Sequence, residues 1–148
     1  MDPNPEKRNN TIVMNLASVA RGTYALSDRD EYSHSAEKAL TENNVDVNVY
    51  CDIPEHAFFF VHFASLVTLD TLVLRLYDKD GRIYTFRQFE SSPDGTNWAE
   101  ILPPGSTRKG SFKVSFPPRS VSCIRIRAVN NVNPILHIVR FQAFNFMQ

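Results

Sequence analysis

The chain has 148 residues, and its 16 lysines and arginines are balanced by 16 aspartates and glutamates. That length suits one domain able to bury a continuous core unaided, and the even balance excludes a general field drawing it to nucleic acid or anionic membrane. No segment approaches the roughly 20 apolar residues of a membrane span. Met1 to Asn10 is polar with two prolines, unlike an apolar signal region, so the expected location is cytoplasmic.

Residues 1–10 read as a flexible tail and residues 11–148 as one ordered domain, opening on Ile12, Val13 and Met14. From Arg21 to Asp52 the chain is polar and loop-rich, with one helical turn expected at Ser35 to Leu40. From Ala57 onward, aromatic and β-branched runs alternate with turn residues, the pattern of an all-β domain. Phe58 to Phe63 reads as a strand covered on both faces, and Thr71 to Tyr77 as a second strand with Leu72, Leu74 and Leu76 on one side. The Asp78-Lys79-Asp80-Gly81 turn should then form a hairpin with Arg82 to Glu90, in which Tyr84 and Phe86 oppose Arg87 and Phe89.

Pro93-Asp94-Gly95 is the next turn and leads into Trp98; Pro103-Pro104-Gly105 closes that segment. Phe112, Val114 and Phe116 alternate with polar residues as a half-buried strand, which Pro117 and Pro118 should break. In Val121 to Val129, Ile124 and Ile126 should face inward and Arg125 and Arg127 outward. Asn130 to Pro134 is a loop and Leu136 to Phe146 the last strand. Cys51 and Cys123 fall in or beside strands and are expected to be buried thiols; a secreted domain of this size usually carries more cysteine. The Asn9-Asn10-Thr11 sequon matters only if the chain is secreted.

Four stretches, taken together, resemble the discoidin or coagulation-factor type C family: Asn15-Leu16-Ala17-Ser18, Ser35 to Leu40, Ser91 to Trp98 (SSPDGTNW) and Val121 to Arg127 (VSCIRIR). The spacing from Asp94-Gly95 and Trp98 to Ile124-Arg125-Ile126 is the most specific part. The ending, Asn130-Asn131 and then Leu136 to Phe141, further resembles discoidin-like domains that follow BTB and BACK domains in intracellular proteins. The resemblance implies a discoidin-type jelly-roll β-sandwich, galactose-binding-domain-like, with Trp98 structural, covering the end of the core. Thr41-Glu42-Asn43-Asn44 stands where the family carries an Asp-Gly-Asn pattern, so a structural calcium is unsupported, and no cofactor is expected.

Motifs for catalysis are absent from the sequence: no Gly-x-Ser-x-Gly elbow, no Walker loop, no GxGxxG cradle. An enzyme is therefore not expected. His34, His56, His62 and His137 have no zinc-type spacing, and His62 and His137, within strands, read as hydrogen-bonded structural histidines. Arg125 and Arg127 share a strand face and could form a patch for phosphate or acidic peptide, although alternating charge is also what a solvated face shows.

By the resemblance, ligands should meet loops at one end of the sandwich, which is where function commonly sits. The candidates are Tyr24, Leu26, Arg29 and Tyr32 in one loop, the stretch Tyr50 to His56, the loop Asp78 to Arg82, and the Asn130 to Asn133 loop with Asn131 and Asn133. Protein-protein recognition is the leading expectation, from the missing catalytic motifs, the cysteine usage and the resemblance to discoidin-like domains of BTB proteins; Tyr24, Leu26 and Tyr32 are of the type enriched at contact hot spots. In a BTB and cullin ubiquitin-ligase setting this would mean substrate recruitment. Carbohydrate binding is the alternative, with His56, Arg29 and Asn133 serving a sugar. Membrane-surface binding is disfavoured by Asp28, Asp30 and Glu31 set against Arg29.

Overall fold

The structure, a computed structural model, describes residues 7–8, 11–29, 36–41 and 46–147. Among these the strands are β1 (Lys7–Arg8), β2 (Thr11–Ile12), β3 (Tyr24–Ser27), β4 (Cys51–Ile53), β5 (Phe59–Leu76), β6 (Tyr84–Ser92), β7 (Ala99–Leu102), β8 (Thr107–Arg108), β9 (Ser111–Asn130) and β10 (Leu136–Phe144). Helical segments among the described residues include short 3₁₀ turns at Val19–Arg21 and Glu37–Leu40, the second lying in the expected helical turn. β1 and β2 form a two-residue ladder of their own.

The frame is the antiparallel ribbon of β5 and β9, 18 and 20 residues long. Its register shifts between His62 and Val67 and again between Leu69 and Thr71. The ribbon bends there, with Ala64, Ser65 and Leu66 of β5 and Pro117 and Pro118 of β9 exposed at the corner. Two strands were expected between Phe58 and Tyr77, and a break at Pro117; instead each strand runs through the corner. Prolines are tolerated where bulges already interrupt the ladder and no backbone N–H is needed.

Folding the ribbon over makes two layers. One holds β3, the first part of β5, the second part of β9, β6 and β7; the other holds β4, β10, the rest of β5 and the start of β9. The period of two sends Phe59, Val61, Ile124 and Ile126 of one layer toward Leu72, Leu74, Leu76 and Phe141 of the other, all buried. Phe59 meets Phe141 at 6.0 Å between ring centroids, and Phe141 is the cross-strand partner of Leu74. The chain is thus the all-β jelly-roll sandwich that the sequence leads one to expect.

Two local expectations change. The Asp78–Gly81 turn does form, with the Gly81 N–H on the Asp78 carbonyl at 2.9 Å and Gly81 at φ 72°, but it makes no hairpin. β9 lies between β5 and β6, so the turn carries the chain from one layer to the other. In β6 a bulge between Phe86 and Gln88 resets the alternation, and Phe89 joins Tyr84 and Phe86 in the core. Cys51 and Cys123 are free and buried, and burial pushes the Cys51 thiol up to about 12.

Buried polar side chains fasten the start of the domain to its end. The amide oxygen of Asn15 accepts from the N–H groups of Ala17 at 3.0 Å and Ala143 at 2.9 Å, while the Leu16 N–H reaches the Ala143 carbonyl at 2.8 Å. The Asp70 carboxylate accepts from the N–H groups of Phe146 and Met147 and from the Thr71 hydroxyl. Buried donors without partners cost about 1–3 kcal/mol each. Asn15→Ala is therefore expected to lower the urea-unfolding free energy by about 2 kcal/mol or more, with Asn15→Asp, which keeps the acceptor, losing less.

Candidate functional site at the loop end

Because the β5–β9 ribbon folds back on itself, both ends of each strand return to one end of the sandwich. Residues 49–58, 77–84 and 130–137 gather there: the Tyr77 N–H donates to the His137 carbonyl at 3.2 Å, and the Asn131 N–H to the Ile83 carbonyl at 3.1 Å.

At this end Tyr50, Tyr77 and His137 form a three-ring cluster. Tyr50 lies 5.0 Å from Tyr77, tilted 55°, and 4.9 Å from His137, edge-on at 76°; Tyr77 and His137 are 6.0 Å apart. The Arg82 guanidinium lies over the Tyr77 ring at 4.9 Å. It donates through Nε and Nη2 to the two oxygens of Asp80, at 2.8 and 2.5 Å, a fork-on-fork pairing. The Tyr84 hydroxyl donates to the Tyr77 carbonyl at 3.0 Å and so fastens the loop to β6. Val49, Ile83 and Val132 add exposed apolar surface at the same end.

Charge in the cluster is arranged by burial. Arg82 is 7% exposed, and its guanidinium holds the Asp80 carboxyl down at about 2, so both stay charged at neutral pH. The Asp52 and Asp80 side chains remain 44% and 42% exposed, open acceptors beside the rings. His137 Nδ1 pairs with Asp52 Oδ1 at 2.5 Å, yet burial outweighs this pairing and lowers the imidazole pKa from its ordinary value.

The residues expected at a ligand loop part company. Tyr24 and Leu26 lie in β3, not in a loop, and project with the period of two from the outer sheet face, opposite His62 and Phe60. Arg29 follows β3 and is exposed, its N–H on the Ser27 hydroxyl; Tyr32 lies outside the described residues. His56 is at the loop end with φ 71° and a side chain 81% exposed, 3.9 Å from Glu55. Asn131 and Asn133 are also there, but their amide oxygens hold their own loop, Asn131 accepting from the Ile83 N–H and Asn133 from Asn130 Nδ2 and the Ile135 N–H.

Sequence reasoning named the stretches Tyr50 to His56 and Asp78 to Arg82 but missed the cluster they build with His137. The one available signal was a histidine beside a loop, opposite a Tyr-Cys-Asp strand. His137 is hydrogen-bonded, as a strand histidine should be. Trp98 does not cover the end of the core; it packs against Arg125, whose guanidinium lies over the indole at 4.0 Å. The Asp94 turn is closed by its own carboxylate, which accepts from the N–H groups of Thr96 and Asn97, both at 2.8 Å. Of the stretch tied to calcium, residues 42–44 lie outside the described residues. No group of three or more His, Cys, Asp or Glu among the described residues could hold a metal.

No family model and no curated protein matches this chain. Solved structures do. A pectin-binding carbohydrate-binding module is 16% identical, with 84% of this chain and 90% of that chain covered and a TM-score of 0.65. The CBM32 of AlyQ, in complex with 4,5-unsaturated mannuronic acid, is 15% identical over 83% of this chain and 98% of that one, with a TM-score of 0.66. Chitosan-binding module 1 of a chitosanase/glucanase from Paenibacillus sp. IK-5 is 17% identical over 89% and 99%, with a TM-score of 0.65. At such identities the likeness concerns the fold, which is the discoidin-type, galactose-binding-like sandwich. The comparisons lend no support to a BTB-associated origin.

The lowered His137 pKa has a definite sign in stability. The unfolded chain takes up a proton as pH falls through about 6.5 while the folded state resists, so the contribution is complete above that value and is lost as pH falls toward the folded pKa. His62, also lowered by burial, acts in the same direction. The melting temperature is expected to drop between about pH 7 and pH 5, and His137→Gln to flatten that drop in thermal unfolding followed by circular dichroism.

Proposed function

We propose that the chain is a non-catalytic carbohydrate-binding module that takes a neutral or amino-bearing sugar at the loop end. The observation that carries this reading is the cluster of Tyr50, Tyr77 and His137 flanked by the Asp80–Arg82 fork and the His137–Asp52 pair. A sugar ring has an apolar C–H face that packs on an aromatic ring and a rim of hydroxyls that needs fixed acceptors and donors. Tyr50 and Tyr77, half-buried, supply the apolar part; Asp52 and Asp80 supply acceptors. Arg82, nearly buried and already bonded to both Asp80 oxygens, acts by holding that carboxylate in place.

This chemistry selects among sugars. The Arg82 guanidinium is occupied by Asp80, and Asp52 is the open charge beside the rings, so hydroxyl or ammonium donors are favoured over a uronate. The likeness in fold to carbohydrate-binding modules supports the class of ligand. It does not supply the sugar, because site chemistry decides that separately from fold.

Isothermal titration with neutral and amino-sugar oligosaccharides, guided by a glycan array, tests the reading. Saturable binding is expected, weakened about tenfold or more by Tyr77→Ala and by Asp52→Asn, with oligogalacturonate inert. An array blank for neutral and amino sugars, or binding indifferent to Tyr77→Ala, would refute it.

A further inference from the structure

The outer face of the β3–β5–β9–β6 layer is as unusual as the loop end. Opposed to the core on the period of two stand Tyr24 and Leu26 of β3, Phe60 and His62 of β5, Arg125 and Arg127 of β9, and Gln88 and Glu90 of β6, in matching cross-strand register. The rings stack on one another: Tyr24 on His62 at 4.9 Å and 16°, His62 on Phe60 at 5.9 Å and 28°. Phe58 continues the row, with Arg125 and Arg127 over its ring at 5.2 and 5.3 Å, and Arg125 also covers Trp98.

The positive charge on this face is unevenly answered. Arg125 is paired with Glu90 through Nε at 2.7 Å. Arg127 has no carboxylate partner among the described residues, and its Nε is buried without a hydrogen bond there. Arg87, exposed in the β6 bulge beside Gln88, the cross-strand neighbour of Arg127, likewise has no described carboxylate partner. The acids lie at the flanks: Glu100 opposite Glu90 on β7, and Asp28, which holds the Phe58 N–H. In a chain of zero net charge this leaves Arg127 beside the aromatic row, and exposed Arg87 next to its cross-strand neighbour Gln88, without a described carboxylate partner.

In this row the rings stack on one another, and guanidinium groups lie over Phe58 and Trp98. Aromatic rings beside a guanidinium without a described carboxylate partner are the aromatic and arginine composition of protein interface centres. We propose that this face docks an acidic peptide segment of a partner protein, with a carboxylate at Arg127 and Arg87 and apolar side chains along Phe60, Leu26 and Tyr24. It is a second surface, separate from the proposed sugar site, and Tyr24 and Leu26, for which protein recognition is the expectation from sequence, lie on it.

The test is titration of the full chain with a fluorescein-labelled peptide of about 12 residues alternating glutamate with valine and leucine, followed by anisotropy and by amide shifts in NMR. Saturable binding is expected, with shifts confined to β3, residues 58–62 and residues 125–127. Arg127→Gln and Arg87→Glu should each weaken it about tenfold, while Tyr77→Ala leaves it intact; Arg87 is exposed, so its variant keeps the fold even if Arg127→Gln does not. Absence of saturable binding, equal affinity for the peptide with lysine in place of glutamate, or shifts at the loop end would overturn the proposal. Displacement of the peptide by oligogalacturonate at the same amides would overturn it in favour of an acidic glycan.

Discussion

Everything in this molecule hangs on the bend in the β5–β9 ribbon. Were the two strands straight, one face of a long hairpin would lie open to water and the leucines and phenylalanines along it would have nothing to pack against. Bulges at the corner let the pair turn over together, so that Phe59 comes to rest near Phe141 and Leu74. Burial of such side chains contributes about 1.5–3 kcal/mol each before the entropy of ordering is set against it. Pro117 and Pro118 belong at that corner because a bulged, solvent-facing stretch asks for no donor.

The same bend creates the loop end. By returning both ends of both strands to one place, it brings together residues 50–52, 77–82 and 137, which are far apart along the chain. Their side chains could not meet in a flat sheet. Once met, they constrain one another: the Tyr84 hydroxyl fixes the Tyr77 carbonyl, Arg82 lies between the Tyr77 ring and the Asp80 carboxylate, and burial lowers the His137 pKa against the pull of Asp52. A site built in this way is largely formed before any ligand arrives, which lessens the ordering cost of binding.

The two surfaces proposed for binding differ for an electrostatic reason. In the ring cluster at the loop end Arg82 and Asp80 are spent on each other, and Asp52, 44% exposed and paired with a histidine whose pKa burial lowers, is the open charge. On the sheet face the carboxylates are spent or peripheral, Glu90 on Arg125 and Asp28 on a backbone N–H, and guanidinium groups remain. The opposite preferences proposed for them fit a chain whose charges sum to zero, because pairing, more than composition, decides which charges stay free.

The alternation of Leu72, Leu74 and Leu76, and of Ile124 and Ile126 with Arg125 and Arg127, was legible in the sequence because the period of two assigns faces without knowledge of partners. So were the all-β class, the turn at Gly81 and the loop at Asn130, each a matter of local chemistry. The continuity of β5 and β9 through their corners was not legible, since a bulge and a break present the same residues. Nor was the hairpin error at Asp78 avoidable: a turn signal says where the chain reverses, not which strand it then joins. Tyr24 was visible as an exposed aromatic, but its place on a sheet face depended on pairing with His62, thirty-eight positions away in a strand of its own. The sequence by itself determined which residues alternate, which turn and which must be buried, because these are properties of neighbours along the chain. Only the tertiary structure decided that Tyr50, Tyr77 and His137 meet and that Asp80 occupies Arg82, because those contacts exist only where the folded ribbon brings distant loops to the same end.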